Sequence, residues 1–419
     1  MIRLIEALNY RSLRYVRQPL GPFHVLVGPN ASGKTTFLDV ISFLGRLVSD
    51  GPEAAIGERT RNFEDLLFRR NGTWFELAIE AAIPDDLREK FGQRFDNIRY
   101  EVRIGIDETT HEVGIQAEKA WLKPWTDSAH VERSLFPCEP SPPSQIVTEK
   151  KPRNWQAILS KTRDDGNDKF YVEVKDSKNK GRWFPAIRLG PQKSALASLP
   201  VDLDLFPVSA WMKELFATGV QNFMLNSVAI RQASPAGRGK GFRPDGSNLP
   251  WVIAELEKHK DRYADWISHL RTALPDLQGI RTIERPDDKH RYLMLRYQGG
   301  LEVPSWVASD GTLRLLAITL PAYLPDFKGV YLIEEPENGI HPGAVETAFQ
   351  SLSSVYDAQI FLVSHSPVIL SLTDTDKVLC FKKTPGGATD IVLGSEHPML
   401  RGWQGETNLG SLFASGVLG

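Results

Sequence analysis

Cysteine is nearly absent: Cys138 and Cys380 are the only two among 419 residues. Two thiols so far apart exclude a disulfide framework and a cysteine-built zinc site, and both are expected to be buried or neutral. Long apolar runs are missing as well. No stretch approaches the roughly 18 consecutive apolar residues of a membrane span. Arg3 and Glu6 interrupt the opening where a signal peptide needs an unbroken apolar region, so a cytoplasmic chain without membrane contact is the expectation. Nor does one sign of charge dominate. With 50 Lys and Arg against 52 Asp and Glu the net charge is −2, and any nucleic-acid binding needs a local basic patch. What remains is the stock of a folded globule: 41% hydrophobic, 10% aromatic and 24% charged residues exclude a disordered, collagen-like or purely coiled-coil chain. At roughly 150 residues per domain, the length allows two or three domains with sizeable cores.

The most informative stretch is FHVLVGPNASGKTTFLDVISFL. An apolar strand over Phe23–Val27 runs into Gly28, Pro29, Asn30, Ala31, Ser32, Gly33, Lys34, Thr35 and Thr36. A helix follows, with Phe37, Val40, Ile41 and Leu44 at helical spacing. Strand, glycine loop and helix stand in the order that phosphate binding requires. Glycines let backbone N–H groups curl around phosphates at a helix N-terminus, Lys34 reaches the β- and γ-phosphates, and the Thr35 hydroxyl ligates Mg²⁺.

A loop of this kind does not name the class of NTPase, so the second half of the chain carries the discrimination. In GVYLIEEPENGIHP the apolar run 330–333 reads as a buried parallel strand ending in Glu334 and Glu335, two carboxylates at the strand edge where α/β ligands sit. Glu334 is expected at the Mg²⁺ and Glu335 at the attacking water, from their order after the strand. Upstream, Ser309, Asp310, Gly311 and Thr312 open a helical pattern with Leu313, Leu316 and Ala317, an anion-binding helix start. Downstream, the strand 359–363 ends in Ser364, His365, Ser366 and Pro367. There an imidazole can hydrogen-bond a γ-phosphate or its water.

In this order the segments resemble the ABC-type ATPase head of the RecF, SMC and overcoming-lysogenisation-defect branch, the AAA-family ATPases of bacterial defence type. GPNASGKTT looks like its Walker A, ASDGT like its signature, LIEEPENGIHP like Walker B with its D-loop, VSHSP like the switch histidine, and LNYRSLRYVRQPL like the first strand and turn of RecF-type heads. The matches cover the first 45 residues and residues 305–370. The resemblance implies an α/β fold: a P-loop NTPase head with a mainly parallel core sheet, an antiparallel β layer and a helical second lobe. It implies ATP and Mg²⁺ as cofactors and a homodimer, or a higher even-numbered oligomer, closed around ATP. By position, Ser309, Asp310, Gly311 and Thr312 serve in trans, Ser309 and Gly311 on the γ-phosphate. Glu335 is the catalytic base, Asn338 belongs to the D-loop and His365 is the switch. Two departures stand out. The Walker A to Walker B separation is about twice that of transporter cassettes. No Q-loop residue is assigned, because Gln93 lies in a charged, poorly patterned region and FEDLLFRRNG holds no glutamine.

The middle of the chain lacks the heptad arms of an SMC protein and any internal repeat. TWFELAIEAAI, NIRYEVRIGID, HEVGIQAEKAWL and KFYVEVKD read as short strands, PCEPSPPSQIVTEKKP as an exposed loop, and residues 208–226 and 249–274 as helices. RTIERP and RYLMLRY are strands leading into the signature. The expected division is an ATPase core from residues 1–95 and 300–419, a β-rich elaboration over 96–205 and a helical second lobe over 206–299. Arg231, Arg238, Lys240 and Arg243 in a Gly-rich stretch suit phosphate backbones of DNA, or else form a solvated loop. Lys178, Lys180 and Arg182 beside Trp183 and Phe184 pose the same choice. The apolar tail with Leu409, Leu412, Phe413, Val417 and Leu418 either docks on its own head or forms a socket for a second protein.

The function this reading favours is an ATP-driven switch, the sensor or regulator of an anti-phage defence system acting on a separate nuclease or toxin. The alternative is a RecF-like DNA-binding ATPase in repair. A self-contained nuclease is disfavoured, because Asp374, Asp376, Asp390, Glu396 and Glu406 are scattered and form no Toprim-like acidic constellation. A non-hydrolysing scaffold is disfavoured by the presence of Lys34, Glu335 and His365.

Overall fold

The computed structural model describes residues 1–91, 93–126, 133–162, 168–174, 187–199, 204–237, 241–400 and 409–414. Within them the strands are β1 (Ile2–Tyr10), β2 (Leu13–Pro19), β3 (Phe23–Val27), β4 (Trp74–Ala82), β5 (Asn97–Ile106), β6 (Val113–Lys123), β7 (Gln156–Thr162) and β8 (Lys169–Phe170). They continue with β9 (Val220–Phe223), β10 (Leu277–Glu284), β11 (Arg291–Tyr297), β12 (Glu302–Pro304), β13 (Gly329–Glu334), β14 (Ala358–Val363), β15 (Val378–Lys383) and β16 (Thr389–Leu393). The core sheet runs β16-β15-β3-β14-β13-β9, parallel except for the β15–β16 hairpin. A seven-stranded antiparallel sheet runs β2-β1-β4-β5-β6-β7-β8, and β10-β11-β12 form a third.

The period of two in the core strands explains why both faces are apolar. Leu26, Leu332, Phe361 and Val363 point into one hydrophobic core, shared with the antiparallel sheet and with Phe37, Ile41, Leu44 and Val48 of the Lys34–Asp50 helix. Val25, Val27, Ile333, Ile360 and Leu362 point into a second core, covered by the helices Leu249–Leu256, Lys260–Ala273, Asp310–Thr319 and Pro342–Ser353. The phosphate-loop helix therefore lies between two sheets and is buried on more than one side, which its single stripe of apolar residues does not announce. No helix among the described residues is long and apolar enough to cross a membrane.

Several expectations change. The boundary drawn at residue 95 cuts through one sheet, because β4 pairs with β5 along its whole length. The helix expected over 208–226 is a helix only for Pro207–Glu214. A π turn follows, and then β9, whose Val220, Gln221, Asn222 and Phe223 pair with residues 330–333 and extend the core sheet. Backbone pairing with β13 overrides the local helical pattern there. Residues 249–274 form two helices, broken by turn hydrogen bonds at Lys258 and His259. Of the described residues in KFYVEVKD only Lys169–Phe170 is strand, and Cys138 is exposed while Cys380 is buried. Leu409 is buried in the second core with Leu412 packed against it, so this part of the tail docks on its own head. The side chain of Phe413, with Val417, Leu418, Lys178, Lys180, Arg182, Trp183, Phe184, Arg238 and Lys240, lies outside the described residues.

The Pro-rich loop is only partly exposed. Ile146 and Val147 are buried, and their N–H groups donate to Glu76, while Thr148 donates to Glu101. This strap covers a row of charges on the outer face of the antiparallel sheet. There Arg99 reaches Glu101 at 2.5 Å, Glu6 at 2.7 Å and Glu80 at 3.2 Å, and Lys123 reaches Glu80 at 2.8 Å.

Glu173 sits below the first turn of the Pro207–Glu214 helix and accepts from Val208 N (2.7 Å), Ser209 N (2.9 Å) and the Ser209 hydroxyl. Burial outweighs these donors and pushes its pKa from 4.5 up to about 7. A carboxyl raised in the folded state binds more protons folded than unfolded, so stability falls as pH rises from 4.5 to about 7 and is level above that. Glu173→Gln is expected to flatten the urea midpoint across that window relative to the wild type. An unchanged slope would mean that the carboxyl is ionised in the fold throughout.

Candidate nucleotide site

β3, β14 and β13 are neighbours and run parallel, so their carboxyl ends share one edge. The loops leaving that edge carry the phosphate loop, residues 364–366 and residues 335–338. In the phosphate loop Gly28 and Gly33 have φ of 146° and 106°, and Ala31 is left-handed at 61°. A Cβ at Gly28 would stand 2.2 Å from the Phe381 carbonyl oxygen, and one at Gly33 would stand 2.2 Å from the Thr389 hydroxyl. The β15–β16 hairpin thus presses directly on the loop. The Thr389 hydroxyl lies 2.9 Å from the Ser32 carbonyl and 2.9 Å from the Ser12 hydroxyl, and Thr389 N donates to Ser12 O.

Lys34 Nζ donates to the carbonyls of Gly28 (2.7 Å) and Pro29 (3.0 Å). Its pKa is lowered by burial, against the opposing pull of Glu335 and Glu334. Thr35, Glu334, Glu335 and Asn338 line one cleft of about 1150 Å³, with Asp310 and Arg314 also on its wall. Glu335 adopts the left-handed region at φ 46°, its N–H donates to Val363 O at 2.8 Å, and its carboxylate accepts from the Asn338 amide. Non-glycine residues in this region are strained and cluster at functional sites.

Ser309 caps the Asp310–Thr319 helix, accepting from Thr312 N at 3.1 Å. Gly311 packs so closely on the Gly339 carbonyl that a Cβ would stand 2.8 Å from it, and Arg314 donates to Asn338 O at 2.9 Å. Arg231, read from the sequence as either a phosphate-backbone contact or part of a solvated loop, is bound to Asp310 through Nε at 2.9 Å and Nη2 at 2.7 Å. The guanidinium neutralises a carboxylate in the first turn of the Asp310–Thr319 helix, a charge-assisted pair. Arg243 is exposed, with its backbone N–H held by Asn248.

Sequence reasoning missed two groups. Asp39, one turn beyond Thr35 on the same helix, is gripped by Arg59 (2.6 Å), Arg11 (3.2 Å) and Tyr10 (2.5 Å), and Asp39 and Arg59 both line the cleft where Gln93 does not. Glu337, the third carboxylate of EEPEN, accepts from the Ser364 hydroxyl (2.7 Å) and His365 N (3.1 Å). The extra acid in that motif was the available signal.

These residues fit Mg-ATP. The Ser32 hydroxyl in the phosphate loop is buried with no hydrogen-bond partner among the described residues, a donor left for a phosphate oxygen. Thr35 and Glu334 present the hard oxygens that Mg²⁺ takes.

Residues 23–371 match the family model described as AAA domain, putative AbiEii toxin, Type IV TA system. The chain belongs to this AAA family. Comparison with curated proteins gives no match. Among solved structures, an Smc head bound to the C-winged helix domain of ScpA superposes on this AAA-family chain with a TM-score of 0.52 at 14% identity, covering 93% of this chain and 97% of that one. A Pyrococcus furiosus Smc head domain with an extended coiled coil, bound to the C-terminal domain of ScpA, gives 0.50 at 13% identity, covering 93% and 95%. The fold of the AAA-family chain is therefore that of the SMC-head P-loop NTPases, as its motif order implies.

Proposed function

We propose that the chain is an ATPase that binds Mg-ATP at Gly28–Thr36, closes with a second copy around it, and works as a molecular switch. The observation that supports this most is the meeting of Thr35, Glu334 and Glu335 in one cleft beside the phosphate loop. The Gly28–Thr36 loop would wrap the phosphates, with Lys34 leaving its two carbonyls for the β- and γ-oxygens. Thr35 and Glu334 would hold Mg²⁺ and its water shell, and the metal would neutralise charge building on the phosphates. Glu335, fixed by Asn338 and by the β14 carbonyl of Val363, would accept the proton of the attacking water, and His365 would bond the γ-phosphate.

Ser309 and the N–H groups of Asp310 and Gly311 that open the Asp310–Thr319 helix suit a γ-phosphate held by the partner copy. Arg231 makes that approach feasible by cancelling the charge of Asp310. The family description carries toxin and antitoxin vocabulary. That supports placing the switch in an anti-phage or related conflict system, as the regulator of a separate nuclease or toxin, in preference to DNA repair.

Light scattering of Glu335→Gln with and without Mg-ATP tests the closure. Mass is expected to double only with nucleotide. A mass that nucleotide leaves unchanged would remove the sandwich from the proposal.

A further inference from the structure

EEPEN places three carboxylates at and just beyond the end of β13, and the proposal above uses Glu334 for the metal and Glu335 for the water. Glu337 is left over, and its surroundings are specific. Because Glu335 is left-handed and its N–H extends the β13–β14 ladder to Val363 O, the chain turns back under the end of β14, closed by Asn338 N donating to Glu335 O at 3.0 Å. This turn delivers the Glu337 carboxylate to the backbone of residues 364–366. One oxygen accepts from the Ser364 hydroxyl and from His365 N, and the Ser364 hydroxyl accepts from Ser366 N at 2.9 Å. On its other side the same loop is tied to the phosphate-loop strand, with Ser364 N donating to Leu26 O at 3.3 Å. The second Glu337 oxygen is buried and has no hydrogen-bond partner among the described residues. Glu337 is itself half-buried, and a carboxylate oxygen that is buried without a partner is costly to a fold. Its presence at this position calls for a purpose other than stability.

We infer that Glu337 is a positioning residue: it holds the 364–366 backbone so that His365 faces the place of the γ-phosphate. The inference rests on the ATPase reading above, and it adds a residue that acts on hydrolysis without touching nucleotide. It also joins the two walls of the site. The turn containing Glu337 carries, one residue on, the Asn338 carbonyl held by Arg314 of the signature helix and the Asn338 amide that bonds Glu335.

The test compares Glu337→Ala, Glu337→Gln and Ser364→Ala with the wild type, by steady-state hydrolysis of Mg-ATP and by deuterium exchange of the His365 amide. Glu337→Ala is expected to lower kcat about 10- to 100-fold with KM changed by less than about threefold, as misplacement by an ångström does. The His365 amide should lose protection in parallel. Glu337→Gln keeps an acceptor oxygen for both bonds and is expected to restore kcat to within about threefold and to restore protection. Ser364→Ala, which leaves the His365 bond intact, falls between them and serves if Glu337→Ala does not fold. Full activity in Glu337→Ala, or a Gln variant as impaired as the Ala variant, overturns positioning, the latter because charge alone would then matter. Absence of hydrolysis by the wild type counts against the ATPase reading alone. The exchange measurement needs no turnover and still decides whether Glu337 holds the loop.

Discussion

Glu335→Gln is expected to bind Mg-ATP with wild-type affinity and to release phosphate about 10³-fold more slowly. Gln preserves the shape that the Asn338 amide and Val363 carbonyl hold in place, and it removes only the ability to take a proton. The loss should therefore fall on kcat and leave nucleotide binding untouched, as for an interaction made in the transition state. Phosphate release measured beside equilibrium binding of ATP separates the two. A variant turning over at the wild-type rate would move the base elsewhere, and Glu334 would be the next carboxylate to examine.

The second large effect is on stability. Arg99 is buried among Glu6, Glu80 and Glu101, with Lys123 the only further cation on Glu80 among the described residues. Arg99→Met fills much of the same volume but leaves three carboxylates facing each other beneath the strap. Breaking a buried ion cluster on one side costs about 3–5 kcal/mol. The urea midpoint of Arg99→Met should drop by a corresponding amount at neutral pH. The deficit should shrink as pH falls and the stranded carboxylates take up protons. A loss below about 1 kcal/mol would show that water reaches the cluster.

How far these features can be read in the chain depends on the range of the interaction that creates them. The phosphate loop, β13 and β14 are legible because each combines an apolar run with a polar tip over a few residues, and parallel pairing then brings the tips to one edge. β9 is not legible. Its four residues lie inside a helix-like pattern, and only pairing with residues 330–333, distant in sequence, makes them a strand. The outer face of β5 is misleading in a different way. Alternation of Arg99, Glu101 and Arg103 with Ile98, Tyr100, Val102 and Ile104 reads as a solvent face, yet the 146–148 strap covers it. At the site, the carboxylates at 334 and 335 stand out by position. The partners of Asp310, Asp39 and Glu337 come from other segments, so local pattern is silent about them.

The β15–β16 hairpin lies wholly beyond residue 371, where the family match stops. Every signature motif lies before that point, but the backing of the phosphate loop does not: Phe381 and Thr389 stand against Gly28 and Gly33, and β15 is the neighbour of β3. The smallest piece that contains all the motifs is therefore not the smallest piece that can shape them. A shortened version designed from motif boundaries would keep its nucleotide ligands in name and lose the wall against which they are formed.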